Sequence, residues 1–266
     1  MMLMLLCLSV TGIILSAILL FFYARRYHSA IYLGLFFLTI SLYGINQYVV
    51  LFSKSPFLIA LIVTNISFTS YLIGPMLYWY IRSTLSDIPR LKWADLLHLL
   101  PMLVYLAAAL PDMFTSFSYK MGIAKEIIND VGFLGTFKFT VLSEIFSNMA
   151  VYLSRPILAL GYTLWSVAML IRYWLQGKES RVLSGQFFMI RWLSVFLGFQ
   201  LLLTVCHLTS MFRTFAEGSD VFFTLNALQF MSGFGMVGLL CSPIIFSRIL
   251  FGMPRIPDSY FRKETM

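Results

Sequence analysis

Arg155 stands inside an apolar run, VYLSRPILALGY, where nothing nearby in the sequence balances its charge. An Arg at the centre of a membrane helix costs about 2.5–3.5 kcal/mol on insertion scales, so its placement asks for a reason. Asn46, Gln47, Asn65, Gln200, His207, Asn226 and Gln229 also interrupt apolar runs. Read as helices, these runs put the polar side chains in the half nearer one side of a membrane, with Gln200 close to the middle. A set gathered from several helices on one side describes a water- or ligand-filled cavity, with Arg155 and His207 placed to anchor an anionic group. Ordinary interhelical hydrogen bonds, worth roughly 0.6–2 kcal/mol each, account for the same residues. Both readings stand on the sequence.

Other chemistry finds little support. His28, His98 and His207 fall in different connections or at different depths, so no metal triad is indicated. No Asp or Glu lies deep in an apolar run, which removes the usual intramembrane acid, base or proton carrier. The last run has no Lys to form a retinal Schiff base. Cys7, Cys206 and Cys241 lie in apolar runs without a Cys-x-x-Cys spacing and read as small buried hydrophobes. Asp95 and His98 sit one helical turn apart, suited either to proton relay or to a helix-start acid beside a satisfied histidine. The glycines of MSGFGMVG (Gly233, Gly235, Gly238) resemble a phosphate loop only superficially; inside an apolar run they read as close helix packing. The expectation is a non-enzyme with no catalytic residue, no metal and no cofactor.

These residues are carried by an unusually apolar chain. Of its 266 residues 60% are hydrophobic and 11% charged, with mean hydropathy +0.86; a soluble domain is about 45–50% apolar and about 25% charged. So little charge cannot cover a water-facing surface, and lipid must be part of the solvent. The net charge of +8 is spread singly or in pairs between apolar runs rather than on one polar face, so direct nucleic-acid binding is not expected. Runs long enough to cross a bilayer as helix recur near Leu3–Tyr23, Ala30–Phe52, Phe57–Ile81, Ala94–Leu110, Ala150–Trp174, Phe187–Met211 and Val221–Phe246. The expected fold is all-α: an integral membrane seven-helix bundle over residues 1–248, with a short tail over 249–266. The fourth run is short, and Pro101 is expected to kink it. The long connection 111–149 is expected to form amphipathic helices on the membrane face or over the bundle.

Lys and Arg set the orientation. Arg25, Arg26, Arg82, Arg90, Lys92, Arg172, Lys178, Arg181 and the tail cations Arg248, Arg255, Arg262 and Lys263 fall at alternate connections. The remaining connections hold fewer cations, balanced by acids. The N-terminus is therefore expected outside and the C-terminus in the cytoplasm. The first run lacks a leading cation and a small-residue cleavage site, so it reads as an uncleaved span.

The stretch GPMLYWYIRSTLSDIPRLKWADLLHLLP (Gly74–Pro101) closes the third span. Gly74-Pro75 is expected to bend it. Tyr78, Trp79 and Tyr80 then fall at the cytoplasmic interface, with Arg82 just beyond, as an anchored hairpin or as a hinge that transmits movement. GPMLYWYIRSTL with KWADLLHLLPMLVYL, and the later ILFGMPRIPDSY, resembles the N-terminal multi-span membrane domain of AraC-family transcriptional regulators of the Bacteroidetes type. The resemblance implies a bacterial cytoplasmic-membrane sensor whose cytoplasmic helix-turn-helix module follows the last span. That module needs roughly 100 residues, about one small domain, and residues 249–266 are too few to hold it. A split or truncated regulator, or a sensor that signals to a cytoplasmic partner or by self-association, is the expectation. A small-solute transporter is the alternative from a different class, and a non-functional truncated regulator is a second alternative.

Overall fold

The computed structural model describes residues 2–25, 27–85, 91–130, 132–177, 184–217 and 226–246, all of them in helices or the turns that join helices. In chain order these are α1 (Met2–Ile18), α2 (His28–Phe52), α3 (Pro56–Ile66), α4 (Ile73–Leu85), α5 (Leu100–Met113), α6 (Phe117–Asn129), α7 (Phe133–Thr136), α8 (Leu142–Ile145), α9 (Asn148–Gly177), α10 (Ser184–Glu217) and α11 (Asn226–Ile245). Among the described residues, 6 helices are long and apolar enough to cross a membrane, and up to 7 if the bent α3–α4 pair is one span. The chain is thus a multi-pass membrane protein by helix length and composition. The tail cations and the 249–266 segment lie outside the described residues, as do Arg26, Arg90, Lys178 and Arg181. At 1.5 Å per residue, the 34-residue α10 extends about 50 Å, beyond a hydrocarbon core of about 30 Å.

The centre of the bundle is α4. Every residue from Ile73 to Ile81 is buried, with α2 on one side and α9 on the other. A helix apolar around its whole circumference has no face to spare for water and is stable only when enclosed. Tyr78, Trp79 and Tyr80, expected at the cytoplasmic interface, are enclosed by protein. Trp79 is 3% and Tyr80 2% exposed. The Trp192 indole donates to the Tyr80 hydroxyl at 2.8 Å, and Tyr78 packs against His98 and Trp165. The Tyr80 hydroxyl thus finds a protein partner, which lets a ring that suits an interface sit in a core, while the Trp79 indole nitrogen is buried without one.

The third span breaks, but not at Gly74-Pro75. The 47° bend separates Pro56–Val63 from Ser67–Leu85, and the chain between Ser67 and Leu72 is a 3₁₀ turn. Ser67, Thr69 and Ser70 each donate their hydroxyl to a carbonyl three or four residues back, a pattern that bends helices. Pro75 lies in the first turn of α4, where a missing N–H costs nothing. Pro101 behaves the same way: it stands in the first turn of α5, after the 3₁₀ turn Trp93–Leu99. Both prolines start an α-helix rather than kink one. Further along, α9 and α11 run through Pro156 and Pro243.

The 111–149 connection holds α6, α7 and α8. α6 lays Ala124 and Ile127 against Ile59, Ala60 and Val63 of α3. Buried Lys120 donates to the carbonyl of Met113 at 2.7 Å, closing the end of α5. The glycines of α11 serve close packing: a Cβ at Gly235 or Gly238 would press on Leu203 or Phe199 of α10.

Gly74 has the same role at the centre, since a Cβ there would meet the Tyr162 ring at 2.5 Å. Gly74→Val is expected to destabilise the bundle by about 1–3 kcal/mol. Gly161→Ala, at a site where a Cβ meets nothing within 4 Å, should leave stability unchanged or raise it by about 0.5–1 kcal/mol. Thermal unfolding of the two variants in the same detergent checks the contrast.

Candidate functional site

Periodicity in four helices aims one stripe of each at a common space. Tyr43 and Gln47 are four apart on α2, and Arg155 and Ala159 four apart on α9. Gln200, Leu203, Thr204 and His207 follow a three–four spacing on α10, as do Gln229, Ser232, Gly233 and Met236 on α11. Such spacings share a helix face. Together with Met4 and Leu8 of α1 and Ser70 and Ile73 at the α3–α4 break, they enclose a cavity of about 160 Å³. The cavity lies in the half of the bundle that carries the N-terminus.

Its polar wall is a set of short chains. The Gln47 amide donates to the Tyr43 hydroxyl at 2.9 Å, and that hydroxyl is hydrogen-bonded to Nε2 of His207. The two rings meet edge-on at 5.2 Å. Nε2 of Gln200 donates to the Thr204 hydroxyl at 3.0 Å, while Oε1 of Gln200 has no partner. Thr204 has already given its own hydroxyl proton to the Gln200 carbonyl, which leaves the amide oxygen as the unmatched group.

Arg155 is only 6% exposed. One Nη donates to the Tyr105 hydroxyl at 2.6 Å. The guanidinium carbon lies 4.8 Å from the Tyr105 ring centre, 4.9 Å from Tyr152 and 5.9 Å from Tyr71. Ring faces attract a desolvated cation by about 2 kcal/mol or more. Its Nε is buried without a hydrogen-bond partner, and no Asp or Glu is among the described wall residues. The cavity wall therefore holds a cationic donor and a neutral acceptor, both buried and both without a protein partner.

Of the polar residues singled out in the sequence, Arg155, His207, Gln47, Gln200 and Gln229 line this cavity. Asn46 and Asn65 do not. Asn46 is adjacent to Gln47, about 100° around the helix, and its Oδ1 is buried elsewhere without a partner. Asn65 donates to the Leu61 carbonyl of its own helix at 2.7 Å. The side chain of Asn226 lies outside the described residues. Sequence reasoning missed Tyr43, Tyr71, Tyr105 and Tyr152, because tyrosine in an apolar run reads as hydrophobic. The available signal was spacing: Tyr43 precedes Gln47 by four residues, and Tyr152 precedes Arg155 by three.

The opposite end of α4 carries a different polar group. Arg82 grips Asp95 with both terminal nitrogens, Nη2 reaching Oδ2 at 2.7 Å. The same carboxylate accepts the Lys92 amide at 2.6 Å, capping the Trp93–Leu99 turn. His98 is hydrogen-bonded to the Tyr162 hydroxyl at 2.7 Å. Of the two readings of Asp95 and His98, the geometry matches the capping acid beside a satisfied histidine.

A family-model scan, a search of curated proteins and a search of solved structures each returned no match to this chain.

Two substitutions gauge the two arginines. Tyr105→Phe removes the hydroxyl that Arg155 uses and should cost about 1–3 kcal/mol, the range for leaving a buried polar group unmatched. Asp95→Asn breaks the largely buried pair with Arg82 and should cost about 3–5 kcal/mol. Unfolding midpoints in detergent report both losses.

Proposed function

We propose that this chain is a membrane-embedded sensor: a small ligand occupies the cavity in the outer half of the bundle, and α4 carries the change to the cytoplasmic end. One observation supports this most directly, the buried Arg155 in the cavity wall with an unmatched Nε and no acid beside it. A polar group with no internal partner favours whichever arrangement supplies one, and a ligand that binds one arrangement better shifts the population toward it. The path inward is short. Ser70 and Ile73 touch the cavity, and the same segment continues as α4 to Arg82 and its clasp on Asp95. The resemblance of Gly74–Leu85 and Lys92–Leu106 to AraC-type membrane domains supports placing the protein in a bacterial cytoplasmic membrane, N-terminus outside. Its output then passes to a DNA-binding part beyond the described residues or on a partner.

A second reading, a small-solute transporter, draws on the broken third span, since interrupted helices beside a buried site recur in transporters.

Hydrogen exchange of the full chain in phosphatidylcholine nanodiscs, with a panel of small organic acids and their amides, tests the sensor. Binding should alter exchange at Arg82–Leu85 and Trp93–Leu99 as well as at the cavity. Changes confined to the cavity helices would overturn the sensor reading. Uptake of the same compounds into reconstituted vesicles above protein-free vesicles would establish the transporter instead.

A further inference from the structure

Taking the cavity as the ligand site of the sensor proposed above, we propose that its ligand is a compact apolar carboxylate that also carries an O–H or N–H donor. Three features of the wall set the three parts of that description. Arg155 is the charged side chain among the described wall residues, and its Nε is buried with no protein acceptor. Hydrogen bonds between a charged donor and a carboxylate are the stronger class, and they strengthen where water is excluded. The tyrosine rings around Arg155 stabilise the cation, but the Tyr105 hydroxyl meets an Nη and the Tyr71 hydroxyl is engaged with Ser154, and Nε has no partner.

The second feature is Gln200, 1% exposed, with an amide oxygen that accepts nothing. Turning the amide over does not relieve it, since the Thr204 proton is committed to the helix backbone and the amide N–H₂ already satisfies the Thr204 oxygen. A ligand hydroxyl or ammonium supplies the missing donor. Arg155 on α9 and Gln200 on α10 thus present opposite hydrogen-bonding roles to one space. A simple alkanoate answers the first and leaves the second unmatched.

The third feature is size and lining. Met4, Leu8, Ile40, Leu203 and Met236 give the wall a largely apolar surface beside the Gln47–Tyr43–His207 chain. A cavity of about 150 Å³ holds a benzene-sized molecule, so 160 Å³ fits a body of a few carbon atoms with its carboxylate and excludes a long acyl chain. The absence of any acid from the described wall removes the counter-charge that would select a cation, and one guanidinium suits one carboxylate rather than two.

The probes are 2-hydroxyisovalerate, isovalerate, isovaleramide, decanoate and succinate, titrated calorimetrically into the full chain in phosphatidylcholine nanodiscs, where no anionic lipid competes. The expected order is 2-hydroxyisovalerate, then isovalerate, then isovaleramide, with about tenfold or more between acid and amide, and with decanoate and succinate weakest. Arg155→Gln should abolish the preference for acid over amide, and Arg155→Lys should retain part of it. Gln200→Met should lower the affinity for 2-hydroxyisovalerate to that of isovalerate and leave isovalerate unchanged. If Arg155→Gln does not fold, the acid-to-amide ratio of the wild type and the Gln200→Met comparison decide alone. Isovaleramide binding as tightly as isovalerate, decanoate binding as tightly as either, or no acid binding at millimolar concentration would overturn the proposed class. A neutral compound that binds and alters exchange at Trp93–Leu99 would leave the sensor standing with a different ligand.

Discussion

α4 is buried from Ile73 to Ile81 on every side, and the rest of the architecture is arranged around that enclosure. In a bilayer the lipid tails are as apolar as leucine, so burying hydrocarbon does not by itself drive helices together; close packing and interhelical hydrogen bonds do. α4 uses both. Gly74 lets Tyr162 of α9 approach the backbone, Tyr32 of α2 packs its ring against Trp79, and Tyr80 takes the Trp192 proton from α10. Each of these contacts brings a different neighbour to the same rod. Remove the rod and α2, α9 and α10 lose the surface they share.

The same rod has unlike ends. Upstream it begins in a 3₁₀ turn held by side-chain hydroxyls bonded to its own carbonyls, a local arrangement with modest cost to rearrange. Downstream it ends in a two-point ion pair to Asp95, a directional contact that holds the Trp93–Leu99 turn in one place. A soft joint at the cavity and a stiff joint at the far end suit α4 to the relay role proposed for it, between Ser70 and Asp95. Thirteen residues of helix span about 20 Å, so no longer chain of contacts is needed.

The sequence carried much of this, unevenly. Hydropathy located the membrane helices well, since the need to satisfy every backbone group in lipid leaves helix as the only option for such runs. Polar residues in apolar runs pointed to the cavity because their depth follows directly from counting along a span. Lateral direction does not, and so Asn46 and Gln47, neighbours in sequence, face different surroundings. The tyrosine cage was hidden for the same reason: Tyr71, Tyr105 and Tyr152 come from three separate elements, and only the fold shows that they share Arg155. Pro75 and Pro101 were legible as breaks, but a proline in a sequence does not say on which side of it the helix lies. The aromatic run at Tyr78–Tyr80 fitted an interface equally well until the neighbours of α4 were known.

The two arginines bear on what the cavity is for. The bundle pairs Arg82 with a carboxylate from another segment and adds a ring face from Tyr78. Arg155, more deeply set, receives three phenol rings and one hydroxyl but no acid. Structural stability alone would favour the Arg82 solution at both places, or an apolar side chain, since replacing buried ions by hydrophobic residues is often neutral or stabilising. A cation kept in place by ring faces in the wall of a cavity, with one donor unmatched, holds back part of its interaction energy. An anion from outside the chain can then supply that part, and any ligand that binds only the folded arrangement stabilises it in proportion to the logarithm of its concentration over its dissociation constant. In the proposed sensor, the imperfect solvation of Arg155 would couple the stability of one arrangement of α9, α10 and the Ser67–Leu72 turn to the concentration of a small molecule, the physical requirement for sensing.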